Sequence, residues 1–178
     1  MKRLFLICVI ALFFMEGESK AQNSCKQIIG YYPSWQMYKR GGAVVPEVVD
    51  YSRYTIINYS FFAPDSNGYL KGTDPWADTL LLRGRIDWGK PQPAYFTNTS
   101  LVDFAHLWGV KVMVSIGGWT LSDNFPGIAA DPKKTDIFVK ECVRVIKEFQ
   151  FDGIDIDWEY PCYEEHSGRP EMDKENFT

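Results

Sequence analysis

The stretch Phe151-Asp152-Gly153-Ile154-Asp155-Ile156-Asp157-Trp158-Glu159-Tyr160-Pro161 decides how the rest of the chain is read. Side chains alternate across a β-strand. As a strand, this run puts Asp155, Asp157 and Glu159 on one face and Ile154, Ile156 and Trp158 on the other. The apolar face suits packing against helices. The acidic face brings neighbouring Cβ atoms to roughly 7 Å of one another. Buried together, such acids cannot all ionise at neutral pH, so at least one pKa is expected to rise. That arrangement opposes stability and serves proton transfer. A solvated acidic edge would also carry three acids, but it gives no reason for Trp158 and Tyr160 within the run. A calcium site would bring Asn, Gly and several loop oxygens with it.

Just upstream, Asp131 and Pro132 make a good cap and first residue for a long helix ending near Phe149. Phe138, Cys142, Val145, Ile146 and Phe149 recur at helical spacing, with Lys133, Lys140, Glu141, Arg144 and Lys147 on the wet side. Before that helix, Val110 to Trp119 repeats the alternation of the acidic run. Val112, Val114 and Ile116 share one face, and Met113, Ser115 and Gly117 the other. Its Ser115-Ile116-Gly117-Gly118 ending lets a ligand or another chain approach the backbone closely. Thr99 or Ser100 could cap a helix through Leu101, Phe104, Ala105, Leu107 and Trp108, stopped by Gly109.

Residues 63–98 are rich in turn chemistry and long for a simple connection. Two further strands precede them. Tyr54 to Phe62 is almost entirely β-branched or aromatic, and Gln27 to Trp35 is a strand that Pro33 ends. Val44 to Arg53 is a short helix candidate with Pro46 in its first turn. After Pro161 the chain turns polar, and Asp173 to Thr178 begins another helix. Strands alternating with helices predict an α/β fold with βα units around a parallel sheet. No Gly-x-Gly-x-x-Gly follows a strand and there is no phosphate loop, so a nucleotide-binding sheet is unsupported.

Composition narrows this further. Hydrophobic content of 46% and charged content of 24% are globular values, enough to build a core. The net charge of −4 gives no reason to expect nucleic acid or an anionic membrane as partner. Aromatic content of 16% is high and fits either an aromatic-rich core or a cleft that stacks on sugar rings.

Residues 1–21 have the form of a secretory signal peptide: Lys2 and Arg3, an apolar run from Leu4 to Phe14, then Ser19-Lys20-Ala21 before a cut. The run is too short to span a membrane. A secreted or periplasmic protein with no membrane attachment after signal removal is expected. Cys8 would leave with the signal, and Cys25 and Cys162 could pair in an oxidising compartment. Cys142 reads as a buried thiol on an apolar helix face. No metal-ligand spacing is present, and His106 and His166 are isolated.

The run Asp152 to Pro161 resembles the DGxDxDxE signature of glycoside hydrolase family 18, the chitinases. Three other stretches are similar to that family in its own order: Gly30-Tyr31-Tyr32 with Trp35, Ile57-Asn58-Tyr59-Ser60-Phe61, and Ser115-Ile116-Gly117-Gly118-Trp119. The resemblance covers Gln27 to Thr178. It implies a (β/α)₈ TIM barrel with its chemistry at the C-terminal strand ends. Such a barrel needs about 250 residues, so residues 22–178 are expected to hold the first four βα units, the N-terminal half of a catalytic barrel that is inactive by itself.

The resemblance also implies hydrolysis of β-1,4 bonds in chitin or N-acetylglucosamine oligosaccharides, with no cofactor. The mechanism is substrate-assisted and retaining, an exception to the two-carboxylate scheme. Glu159 takes the role of acid to the leaving oxygen, and Asp157 orients the acetamido group. Asp155 shares a proton with Asp157, supported by Tyr31 and Ser115. Gly117, Gly118, Trp119 and Tyr160 are expected to line the cleft. Trp35 and Trp76 are open between sugar contact and packing, and Trp158 is expected in the core. Two other activities fit the acid motif. A lectin-like chitin binder would usually lose the acid at Glu159, which this chain keeps. An endo-β-N-acetylglucosaminidase on N-glycans shares the motif, but the ending Trp158-Glu159-Tyr160-Pro161 looks more like chitinases.

Overall fold

The β-branched and aromatic runs form four parallel strands: β1 (Ile29–Pro33), β2 (Ile56–Pro64), β4 (Lys111–Gly117) and β5 (Gly153–Asp157). In the computed structural model, which describes residues 26–39, 44–91, 94–164 and 170–177, they lie side by side in the order β1-β2-β4-β5. A short β3 (Leu70–Gly72) returns antiparallel on the end of β2. The sheet is open and its strands run in chain order, which is the first part of a (β/α) barrel rather than a doubly wound sheet.

Register divides the sheet into two chemically different faces. Tyr31 pairs with Asn58, and Ser60, Ser115 and Asp155 align across β2, β4 and β5. These residues share the inward, polar face. Tyr32, Ile57, Tyr59, Val112, Val114 and Ile116 point outward into the helix-covered core. Val112, Val114 and Ile116 are fully buried there, each worth about 1.5–3 kcal/mol relative to exposure.

The helices are set by their caps. The helix α1 (Pro75–Leu82) starts at Asp74, whose side chain accepts from Ala77 N–H. A full capping box of Ser100 and Asp103 opens α2 (Leu101–Leu107). A short α3 (Phe125–Ala129) precedes α4 (Pro132–Phe149), which Asp131 caps and which Gln150 ends in a left-handed conformation. Phe138, Cys142, Val145, Ile146 and Phe149 of α4 pack on the core as their spacing predicts. Trp158 is buried against Phe125, ring centroids 5.6 Å apart, and against Phe177 of α5 (Pro170–Phe177).

Several elements differ from the sequence reading. Val44 to Arg53 holds two 3₁₀ turns, Pro46–Val48 and Tyr51–Arg53, instead of a helix. The apparent loop 63–98 contains β3 and α1. The acidic strand ends at Asp157, so Trp158 and Glu159 lie beyond the ladder. The final helix starts at Pro170 instead of Asp173. Cys142 is half-buried, and burial pushes its thiol up to about 11. Cys162 is an exposed free thiol, while Cys25, His166 and the leader 1–21 lie outside the described residues. His106 pairs with Asp152 at 2.9 Å. Among the described residues no helix is long and apolar enough to cross a membrane, and no cluster of His, Cys, Asp or Glu could hold a metal.

Candidate active site

The inward face carries its polar groups from the middle of the strands to the C-terminal end of β5. Asp155 sits in β5 beside Ser115 of β4, and three donors converge on its Oδ2: Ser115 Oγ at 2.9 Å, Asn58 Nδ2 at 2.9 Å and Tyr31 hydroxyl at 3.1 Å. Strands β1, β2 and β4 thus each contribute one donor to an acid on β5. The Tyr31 hydroxyl is held above its usual pKa, first by burial and also by the charge of Asp155, and remains a donor.

Asp157, the last residue of β5, is the perturbed acid. Its carboxyl is pushed up from 3.8 to about 6, first by burial, then by the charge of Glu159 and a hydrogen bond to it, and last by Asp155. Both repelling charges belong to its neighbours along the chain, two residues to either side. The expected rise therefore falls on Asp157, the middle acid. Glu159 is half-buried, just past the strand end, and its backbone N–H donates to Ser122 Oγ at 2.9 Å.

The glycines explain how β4 and β5 come so close here. Gly117 and Gly118 have φ of +109° and +95°, a region side-chain-bearing residues rarely adopt. A Cβ on Gly117 would lie 2.3 Å from the Asp157 carbonyl oxygen, and one on Gly118 would meet the Phe61 ring. Gly118 N–H donates to that same Asp157 carbonyl at 2.7 Å. The close approach read from Ser-x-Gly-Gly is thus made by the protein's own β5 and Phe61, and both glycines are buried.

Aromatic side chains rim the acids. Trp119 and Tyr160 are both exposed and meet edge-on, with centroids 6.2 Å apart. Trp35 stacks on Phe61 at 6.0 Å, and Tyr31 tilts against the same ring at 6.4 Å. Trp76 stands exposed on α1. The peptide bonds Ser60–Phe61 and Glu159–Tyr160 are cis.

The structure therefore brings together Tyr31, Ser115, Asp155, Asp157 and Glu159, with Trp119 and Tyr160 beside them. It adds three residues that the sequence reading did not assign to the site. Asn58 carried a signal: with Ser60 it is polar at alternate positions of an otherwise apolar strand. Phe61 carried a misleading one. Alternation sends it outward with Ile57 and Tyr59, but the register between β2 and β4 shifts from Ser60–Ser115 to Phe62–Ile116. Phe61 is the extra residue of that bulge, and its ring turns to the inward side. Ser122, in the loop after β4, carried no signal.

A family model described as Glycosyl hydrolases family 18 matches residues 27–178. Chitinase A1 of Niallia circulans is 28% identical over 98% of this chain and 29% of its own length. Chitinase ChiA of Flavobacterium johnsoniae is 32% identical over 90% of this chain and 10% of its own length. Among solved structures, the Ostrinia furnacalis Group IV chitinase in complex with allosamidin superposes with a TM-score of 0.68 at 28% identity, over 85% of this chain and 38% of that one. The chain thus spans less than a third of these two curated relatives.

Proposed function

The chain belongs to the glycosyl hydrolases family 18, and from that membership we propose that the protein hydrolyses β-1,4 bonds between N-acetylglucosamine units of chitin or chito-oligosaccharides. The single observation that carries this is the graded acid row. Asp155 is tied down by three donors, Asp157 is raised to about 6, and Glu159 is bonded to Asp157 where the strand opens to solvent. Exposed Trp119 and Tyr160 beside the acids supply faces on which sugar rings stack. The leader read in residues 1–21 supports export.

In this mechanism Glu159 gives its proton to the glycosidic oxygen as the bond to the anomeric carbon breaks. The acetamido oxygen of the same sugar forms the new bond to that carbon, so the charge develops on the substrate's own ring. Asp157 orients the acetamido group, and its negative charge offsets the positive charge of the cyclised intermediate. Water then attacks the anomeric carbon and yields its proton to Glu159, the ring opens, and configuration is retained. Asp155, held by Tyr31, Asn58 and Ser115, stands behind Asp157 and shares a proton with it.

The test is Glu159→Gln in the complete natural gene product. Oligomer hydrolysis should fall about 10²–10⁴-fold while oligomers still bind. Asp157→Asn should be severely impaired too, a thiazoline analogue of the cyclised sugar should inhibit, and the first product should be the β-anomer by NMR. Rapid cleavage of plain β-1,4-glucan, or an inverted product, would remove this mechanism.

A further inference from the structure

The ladder that orders β5 stops two residues short of the last acid of the row. The last paired residue is Asp157, opposite Gly117. Glu159 lies two residues further on, and what holds its main chain is a side chain from another loop. Ser122 is 1% exposed, and its Oγ accepts the Glu159 N–H at 2.9 Å. The hydroxyl has one proton to give and two carbonyls within reach, Gly118 at 2.9 Å and Asp157 at 3.2 Å. One hydroxyl thus links the end of β4, the end of β5 and the backbone of Glu159. It is anchored in turn, since Phe125 N–H donates to the Ser122 carbonyl at 3.1 Å and the Phe125 ring stacks on Trp158, the residue between the two acids.

We infer that Ser122 is a positioning residue for proton transfer: its hydroxyl sets the main chain of Glu159 so that the Glu159 carboxyl meets Asp157 and the leaving oxygen. Ser122 itself is buried behind the strand ends and does not line the cleft. Its loss moves Glu159 and leaves Trp119 and Trp35, which stand on the segments after β4 and β1, in place. The inference rests on Glu159 being the proton donor of the proposed reaction. A displacement of about 1 Å at a reacting group costs up to about 10²-fold in rate. That defect has a signature that general loosening lacks. Proton donation matters for a sugar leaving group, which departs as a strong base, and matters little for dinitrophenolate, which departs unprotonated.

The experiment compares wild type, Ser122→Ala and Ser122→Thr in the complete natural gene product, on chito-oligosaccharide and on the 2,4-dinitrophenyl glycoside of chitobiose. Ser122→Ala should lower kcat on the oligomer about 10–100-fold, with KM within about threefold, while kcat/KM for the dinitrophenyl substrate, which reports only the step before water attacks, stays within about threefold. Ser122→Thr keeps the hydroxyl and should restore most of the oligomer rate. If the alanine protein does not fold, Ser122→Cys, which keeps the volume but hydrogen-bonds weakly, reports the same contrast. Equal losses on both substrates, or no loss on either, would overturn the positioning role and leave the proposed activity standing. A wild-type protein that cuts neither substrate takes the activity and this inference down together.

Discussion

Replacing Tyr59 by Phe separates the two faces of β2, because its outward neighbour network contributes stability while Asn58 and Ser60 face the acids. Tyr59 is fully buried, and its hydroxyl donates to Asp78 Oδ1 at 2.5 Å. Asp78 is only 6% exposed, and its other oxygen accepts Asp74 N–H at 3.2 Å. Burial pushes the Asp78 carboxyl up from 3.8 to about 6, and the Tyr59 hydrogen bond works in the opposite direction. Phe keeps the ring and removes the donor, leaving a buried carboxylate with one backbone partner. A hydrogen bond to a charged group is worth about 1.5–3 kcal/mol, so the loss should be about 2 kcal/mol at pH 7.5. At about 2–4 °C per kcal/mol for a domain of 150–250 residues, Tm should fall by about 4–8 °C.

The same substitution should depend on pH in one direction. Asp78 has a folded pKa above its unfolded value, so its contribution to stability is complete below 3.8 and is lost as pH rises through about 6. Without the Tyr59 donor the folded pKa rises further, and the gap between variant and wild type opens mainly above pH 6. At pH 4.5 Asp78 is protonated in both folded proteins, and a neutral hydrogen bond of about 0.5–1.5 kcal/mol is all that is lost. Thermal melts of the complete gene product followed by circular dichroism at the two pH values measure the difference. An unchanged Tm at pH 7.5, or an equal fall at both, would refute the charged Tyr59–Asp78 pair as the cause.

Three further outcomes follow from the site. Asp155→Asn removes one of the negative charges that raise Asp157, so the acid limb of the kcat/KM profile should move to lower pH, with Tyr31, Asn58, Ser115 and Glu159 still facing the pair; a limb that stays or moves up counts against that coupling. Trp119→Ala removes an exposed ring, 54% accessible, so KM for long oligomers should rise about two- to twelvefold for about 0.5–1.5 kcal/mol of stacking while the melt is unchanged; equal KM values would end its role in sugar contact. Gly117→Ala would set a methyl group against the Asp157 carbonyl at a positive φ, and strain of about 1–3 kcal/mol should lower Tm and activity together; a fully active, equally stable variant would contradict the close packing of β4 on β5.

What the chain determined by itself follows from period and capping. Alternation in Val110–Trp119 and Phe151–Pro161 assigned Val112, Val114, Ile116, Ile154, Ile156 and Trp158 to the helix side, because a strand has only two faces and one must be covered; all of them pack on the core except Ile156, which is 37% exposed on β5, a strand paired on one side only among the described residues. Asp131-Pro132 marked the start of α4 to within a residue, since a carboxylate cap and a fixed φ are local effects. The three acids were legible for the same reason, as residues on one strand face, whereas Tyr31 and Ser115 entered as support for Asp155 only through the resemblance to glycoside hydrolase family 18. Tertiary structure decided what period cannot reach. The bulge at Phe61 reverses a side chain relative to its strand, and only the register against β4 makes it visible. The convergence of Asn58, Ser115 and Tyr31 on one oxygen of Asp155 depends on how three strands are offset. Glu159 leaves the ladder, so its position is set by Ser122, a residue 37 positions away whose hydroxyl becomes a partner only when two strand ends meet. Local sequence carries dihedral preference and facing; long-range register and the partners of buried hydrogen bonds exist only once the sheet is assembled.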